Sequence, residues 1–304
     1  MGQVSIKSRF PAIGYVGIAI ILLSEVLLFG GNQLVGHWFT PIVWSGYICF
    51  VDALIYKLKG RSLLMNDRLE FVIIAMVSIA GWWLFEFYNA PRFWRSDLEL
   101  WWHYHNLEPN PYLRRVGYDW AFATIFPSMF LTAQLFAASV FAKQKQFRAF
   151  RFSRFTLYVM IILGAAGALL PLLIISSWFA PLIWLSFIFF LDPINYLRGW
   201  PSIVGDLTKG EGRRLFSLLA GGLICGLLWE FWNYWALSKW SYTVPYFGEV
   251  KIFEMPVLGY LGFPPFAVEC WVIYIFFRSL LTPGPTGFDA SRGNIWIEQT
   301  NVST

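Results

Sequence analysis

Eight apolar runs, each close to the roughly 20 residues that carry an α-helix across a bilayer, constrain this chain more than any other feature. They lie at about 12–30, 38–56, 70–89, 118–141, 156–177, 179–197, 214–236 and 259–281. In hydrocarbon every backbone N–H and C=O has to be satisfied inside its own segment, so each run reads as a helix, and Gly or Pro within one is tolerated where neighbours supply partners. A chain of 304 residues that is 57% hydrophobic and only 13% charged is too apolar for a soluble domain of that length. The expected fold is all-α, a polytopic membrane protein with eight transmembrane helices.

The net charge of +5 does not point to nucleic acid, because the Lys and Arg residues fall in short loops between the runs, where they set topology. Distributed over alternate sides, 17 basic residues lie on the side of the two termini and 6 on the other. The positive-inside rule then places both termini in the cytoplasm and the protein in the cytoplasmic (inner) membrane, with loops 90–117 and 237–258 outside. Lys7 and Arg9 ahead of the first run look like a signal peptide, but no small-residue cleavage site follows before Gly30-Gly31, so an uncleaved first span is expected.

The halves repeat. Trp38-Phe39-Thr40-Pro41-Ile42-Val43-Trp44 returns as Trp178-Phe179-Ala180-Pro181-Leu182-Ile183-Trp184, and Asp52 and Tyr56 return at the same offset of 140 as Asp192 and Tyr196. Leu84-Phe85-Glu86-Phe87-Tyr88-Asn89 returns as Leu228-Trp229-Glu230-Phe231-Trp232-Asn233 at 144, and Val116-Gly117-Tyr118 as Leu258-Gly259-Tyr260 at 142. Four spans bring a chain back to its starting side, so the repeats are parallel, and a pseudo-twofold axis along the membrane normal is expected between them. The organisation is a first four-helix repeat at 1–141, a basic cytoplasmic connector at 142–155, a second repeat at 156–281, and a mobile, dispensable tail at 282–304.

The repeated Glu and Asn stand i, i+3 on one helix face, and a carboxylate inside a membrane segment costs roughly 2.5–3.5 kcal/mol on insertion scales. Either each Glu is a hydrogen-bonded packing residue joining two helices, or it carries chemistry. Glu269 favours chemistry in the second half. Pro264-Pro265 should open the last span, which places Glu269 one to two turns below the outer surface, and the depth of Glu230 in its own span suggests the same level. Glu230 and Glu269 would then act as one protonic unit, with Asn233 orienting a carboxyl. At the offset of 142 Glu269 maps to Pro127, so the first half should support rather than catalyse. Trp229, Trp232, Trp240, Tyr242 and Tyr260 are either interface belts or the wall of a substrate pocket, whose electron-rich faces would stabilise a carbocation.

Asp52 and Asp192, near the cytoplasmic ends of their spans, suggest capping or ion pairing; Glu25 has no counterpart and no assigned role. Cys49, Cys225 and Cys270 lie in apolar runs without metal-ligand spacing and read as packing residues. No Gly-rich phosphate loop, His box or paired aspartate motif is present, so neither a cofactor nor a metal is expected, a single surface ion at His103, His105 and Glu108 being the one alternative left open.

The order Glu230, Asn233, Trp240, Tyr242, Gly248, Pro256, Glu269, over about 50 residues, resembles the small integral-membrane lycopene cyclase domain and the related carotenoid hydratases, which are often duplicated within a chain. Where that family opens its last span with Pro-x-Glu-Glu, this chain has Phe263-Pro264-Pro265-Phe266 and a single Glu269. The resemblance implies a membrane enzyme acting on an isoprenoid or carotenoid-like lipid by proton transfer, through cyclisation, hydration or isomerisation. The alternative from another class is a carrier or accessory subunit that binds lipid or pigment without changing it. The oligomeric state is left open.

Overall fold

The computed structural model describes residues 9–90, 99–243, 245, 248–281 and 294–298. Among these, eight helical stretches are long and apolar enough to cross a membrane. The first four are α1 (Ala12–Phe29), α2 (Gln33–Lys59), α4 (Arg68–Asn89) and α5 (Pro111–Ala138). The second four are α6 (Arg154–Leu173), α7 (Ala180–Leu197), α9 (Arg213–Trp235) and α10 (Phe263–Leu281), with 3-10 segments, Ser177–Phe179 and Val257–Gly262, running into α7 and α10. Their ends follow local chemistry. Asn32 accepts a hydrogen bond from the Val35 amide, Asn110 from those of Tyr112 and Leu113, and Ser153 from that of Thr156. Gly60 ends α2 at a φ of 71°, a left-handed turn that favours glycine. Pro264 and Pro265 occupy the first turn of α10, where a missing N–H costs nothing.

Two short helices were not apparent in the apolar pattern, α3 (Leu63–Asn66) and α8 (Ile203–Thr208). Asp52 and Asp192 build them. Asp52 accepts from the Leu64 amide at 2.9 Å and the Ser62 hydroxyl at 2.7 Å. Asp192 accepts from the Ile203 and Val204 amides, each at 2.8 Å. The capping expected of these two aspartates is what they do.

The helices pack in matching sets. α1 lies on α2 and α6 on α7; α5 packs on α2, α4 and α9, and α10 on α7, α9 and α4. The α6–α7 contact is close enough that a Cβ at Gly164 would fall 2.3 Å from the Phe190 amide nitrogen, the small-residue packing typical of membrane helices. α5 and α10 meet at the centre, and Phe266 through Ile275 of α10 are all buried.

At the end away from the termini, β1 (Trp102–His105) and β2 (Lys239–Tyr242) form an antiparallel ribbon that joins the halves; we call this the ribbon end. A smaller ribbon, β3 (Lys251–Ile252) with β4 (Met255–Pro256), lies beside it. At the opposite, terminus end, the tail does not behave as expected. Residues 282–293 and 299–304 lie outside the described residues, but Asn294, Ile295, Trp296 and Ile297 are buried. The Ile295 amide donates to Gln134 at 2.9 Å, the Ile297 amide donates to the Tyr274 hydroxyl at 3.0 Å, and the Trp271 indole donates to the Ile295 carbonyl at 2.6 Å. Three apolar side chains that would otherwise meet water, and polar partners waiting in both halves, hold this segment down.

Candidate functional site

The site grows from the ends of α4 and α9. On α4, Trp82, Glu86 and Asn89 follow at i, i+4 and i+7 and share a face. The Asn89 amide nitrogen donates to the Trp102 carbonyl at 2.8 Å, and its oxygen accepts from the Trp101 and Trp102 amides at 2.9 and 3.1 Å. That pin brings β1 back over α4. Glu86 Oε1 then accepts from the Trp82 indole at 2.8 Å, the Trp102 indole at 3.1 Å and the Tyr104 hydroxyl.

The second half repeats the construction. Asn233 donates to the Trp240 carbonyl at 2.8 Å and accepts from its amide at 2.9 Å. The Tyr242 hydroxyl donates to Glu230 Oε1 at 2.8 Å, and the Trp240 indole donates to the Tyr242 oxygen at 2.6 Å. Each half therefore carries Glu-x-x-Asn on a helix and Trp-x-Tyr on a strand. The strands pair Trp102 with Tyr242, His103 with Ser241 and Tyr104 with Trp240, so the two copies are exchanged about the His103–Ser241 pair.

Two donors differ: the Trp102 indole donates to Glu86 whereas the Trp240 indole donates to Tyr242, and Trp82 has no equivalent. Trp82 corresponds at the offset of 144 to Gly226, where a Cβ would fall 2.2 Å from the Phe263 ring. The third donor of Glu86 has no counterpart at Glu230, whose Oε2 is buried with no hydrogen-bond partner among the described residues.

Beneath the ribbon lies a cavity of about 750 Å3, lined by both halves. Trp82, Trp102, Tyr104, Tyr118 and Phe122 line it from the first, and Trp184, Trp229, Trp240, Tyr242 and Phe266 from the second. Trp184 and Phe266 meet edge to face at 5.0 Å, and Trp82 and Trp229 lie 6.0 Å apart. His37, Glu108, Arg114 and Lys239 supply the charged or titratable part of the wall. Burial, and secondarily the adjacent Glu86 or Glu230, holds the phenols of Tyr104 and Tyr242 well above the ordinary value of 10, so both are protonated at neutral pH.

Of the residues singled out in the sequence, Trp229, Trp240 and Tyr242 line the cavity. Glu230 stands behind Tyr242. Asn233 orients the backbone of Trp240 rather than a carboxyl. Trp232 is not among the lining residues: it packs edge-on against Trp44 and donates to Glu25 at 3.0 Å, which gives Glu25 a partner. Tyr260 is also absent from the lining; its hydroxyl donates to the Ile252 carbonyl at 2.9 Å.

Glu269 does not join Glu230. Its Oε1 accepts from the Phe187 amide of α7 at 3.1 Å, and its Oε2 is buried without a hydrogen-bond partner among the described residues. The expected common depth fails for a geometric reason. A Cβ at Gly222 of α9 would fall 2.4 Å from the Phe263 carbonyl and 2.8 Å from the Ala267 Cβ, so Gly222 is level with the first turn of α10. Glu230 lies two turns beyond that level toward the ribbon end and Glu269 about one turn beyond it the other way. At 1.5 Å per residue the two are roughly 15–18 Å apart along the helix axes. A single protonic unit of Glu230 and Glu269 is thereby ruled out. The first half carries a copy of the same arrangement: Trp102 and Tyr104 line the cavity, with Glu86 behind them.

His103, His105 and Glu108 do not converge. His103 binds Glu99 at 3.3 Å and Thr243 at 2.8 Å, His105 binds Ser241 at 2.7 Å, and Glu108 accepts from the Asn110 amide. Among the described residues no group of three His, Cys, Asp or Glu is set to hold a metal ion.

No protein-family model matches this chain, and no curated protein or solved structure matches it either.

Proposed function

We propose that this chain is an enzyme of the cytoplasmic membrane that moves protons on an apolar, isoprenoid-like lipid held in the aromatic cavity. One observation carries the reading: two tyrosines, each bonded to a glutamate at the end of a helix, half-buried in the first half and buried in the second, line the same aromatic cavity from opposite halves. Addition of a proton to a carbon–carbon double bond leaves a carbocation, and the ring faces of Trp82, Trp102, Trp184 and Trp229 are suited to stabilise one. A phenol held so far above its ordinary value is a weak acid by itself, so each tyrosine serves as a relay. In the donor dyad, which starts with a neutral carboxyl, the hydroxyl turns to the substrate, its O–H bond breaks as a C–H bond forms, and the carboxyl turns its own O–H to the phenolate and reprotonates it, ending as a carboxylate; the acceptor dyad starts as a carboxylate. The opposite dyad takes a proton from a neighbouring carbon, the electron pair of that C–H bond becoming the new double bond. Charge and atoms balance, and no redox partner is consumed.

Both termini then face the cytoplasm, which the division of 17 basic residues against 6 supports. The rival reading, a lipid or pigment carrier, draws on the fact that neither carboxylate itself lines the cavity. Lipid extracted with the purified protein separates the two. A substrate–product pair that depends on Tyr104 and Tyr242 is expected; a single lipid, unchanged on incubation with the wild-type protein, would establish the carrier.

A further inference from the structure

The two halves differ at one place where their symmetry would demand likeness. In the first half, the seam between α2 and α5 at the ribbon end is closed by a tryptophan latch. Trp38 and Trp120 meet with ring centroids 6.0 Å apart, and the Trp120 indole donates to the Ser45 hydroxyl of α2 at 3.0 Å. The corresponding seam in the second half lies between α7 and the start of α10. There Trp38 becomes Trp178, Ser45 becomes Leu185, both at the offset of 140, and Trp120 becomes Gly262 at 142. The latch has lost its moving part and its catch.

The space left is open. Among the described residues nothing lies within 4 Å of where a Cβ at Gly262 would stand. Leu185, Leu258 and Leu261 are exposed on the outer surface of the bundle, yet all three, with Pro181, Gly262 and Pro265, also line the cavity. The cavity and the lipid-facing surface are therefore continuous through a rim whose described residues, these six, carry no charge and no side-chain hydrogen-bonding group. Water and ions gain nothing by entering there, whereas a hydrocarbon chain passes without losing any hydration.

We propose that this gap is a lateral portal through which an apolar lipid chain passes from the ribbon-side leaflet into the cavity, and that Trp38 and Trp120 shut the equivalent path in the first half. The proposal rests on the reading of the cavity as a site for an apolar ligand, and adds that the ligand arrives from the bilayer, by one door.

The test uses the full chain reconstituted in phosphatidylcholine vesicles with a diazirine-bearing polyprenol as probe. After brief illumination, adducts on the cavity peptides around Trp184 and Phe266 are counted by mass spectrometry. In the wild type these peptides should label. Gly262→Trp, which puts an indole into open space, should cut the initial labelling rate by about tenfold through gating alone, with an unchanged melting temperature. Leu185→Trp should do the same from the α7 side, and guards against a misfolded first variant. Trp120→Gly should raise the rate by opening the second door. Wild-type labelling that neither Gly262→Trp nor Leu185→Trp slows, both being folded, overturns the portal and leaves the cavity reading intact. A folded wild type that takes up no probe in the cavity overturns both.

Discussion

At the scale of single residues, the two Glu–Tyr dyads look alike but are not equally secured. Glu86 accepts three side-chain donors, of which Trp102 is buried and Trp82 and Tyr104 are half-buried, and Glu230 accepts from Tyr242, so Glu86→Ala strands more donors than Glu230→Ala. Each stranded donor costs about 1–3 kcal/mol. Glu86→Ala should therefore melt at a clearly lower temperature than Glu230→Ala in the same detergent; equal melting temperatures would mean that the donors of Glu86 find other acceptors. For turnover the order is different. Tyr104→Phe and Tyr242→Phe keep the ring and remove the relay, so each should lower product formation by roughly 10²-fold or more while the protein still retains lipid. Because burial and the neighbouring glutamate keep both phenols protonated beyond pH 10, a pH–rate profile should show no loss from phenol ionisation below about that pH; a limb near pH 9 that vanishes in Tyr242→Phe would contradict it. The sequence displayed Glu86, Asn89, Glu230 and Asn233 at a constant offset, yet it concealed Trp102 and Tyr104. The link from Asn to Trp is longer in the first half, so the offset falls from 144 to 138, and a match followed at fixed register passes over Trp102-His103-Tyr104.

Among elements, the membrane helices were legible because hydrocarbon leaves a chain so few choices, and their ends because Asn, Ser, Gly and Pro cap helices by local chemistry. The short helices α3 and α8 were legible only as the two aspartates that cap them. The ribbon was not legible, since β1 and β2 are four residues each, carry no alternating pattern strong enough to stand out, and are held by side chains of other elements. Asn89 and Asn233 are what replace a longer ladder. Asn233→Ala would leave the Trp240 amide and carbonyl without the partners they have now, at about 1–3 kcal/mol for each group that stays buried. The consequence should reach the site: β2 carries Tyr242, so Asn233→Ala should reduce turnover nearly as far as Tyr242→Phe, whereas Asn233→Asp, which keeps the acceptor for the Trp240 amide, should fall between. Normal turnover in a folded Asn233→Ala would show that pairing with β1 alone positions β2. The depth of Glu269 was misread at this scale too. A distance counted inward from a span's end assumes that both helices begin at one level, and the glycine contacts of Gly222 and Gly226 with Phe263 and Ala267 set that level differently.

For the whole molecule, the ribbon end holds the cavity, whereas at the terminus end the tail segment 294–298 packs into the bundle. It reaches both halves. Lys59 donates to the Asn294 side chain at 3.0 Å and Trp296 donates to Asp67 at 3.4 Å in the first, while Arg214 donates to the Asn294 carbonyl at 3.1 Å in the second. Nearby, Arg278 of α10 is paired with Glu70 of α4 at 2.8 Å, and Tyr274 donates to the same carboxylate at 2.6 Å, so the seam under the tail is polar and crosses from half to half. Nothing in a tail that follows Pro283-Gly284-Pro285 advertises this, because its partners are six side chains scattered over four helices and a loop whose convergence depends on the finished bundle. Such a segment should act as a strap. Trp296 is 2% exposed, and removing a fully buried Trp side chain costs about 3–5 kcal/mol; Trp296→Ala should accordingly lower the melting temperature of the purified protein and admit a thiol reagent, applied from the terminus side of sealed vesicles, to a cysteine placed at Gln134. The cavity at the far end should keep its lipid in that variant, since Lys59, Asp67, Gln134, Arg214, Trp271 and Tyr274, which hold the strap, are not among the cavity-lining residues. A Trp296→Ala protein with unchanged melting and a still inaccessible position 134 would return the tail to the dispensable role its composition suggests.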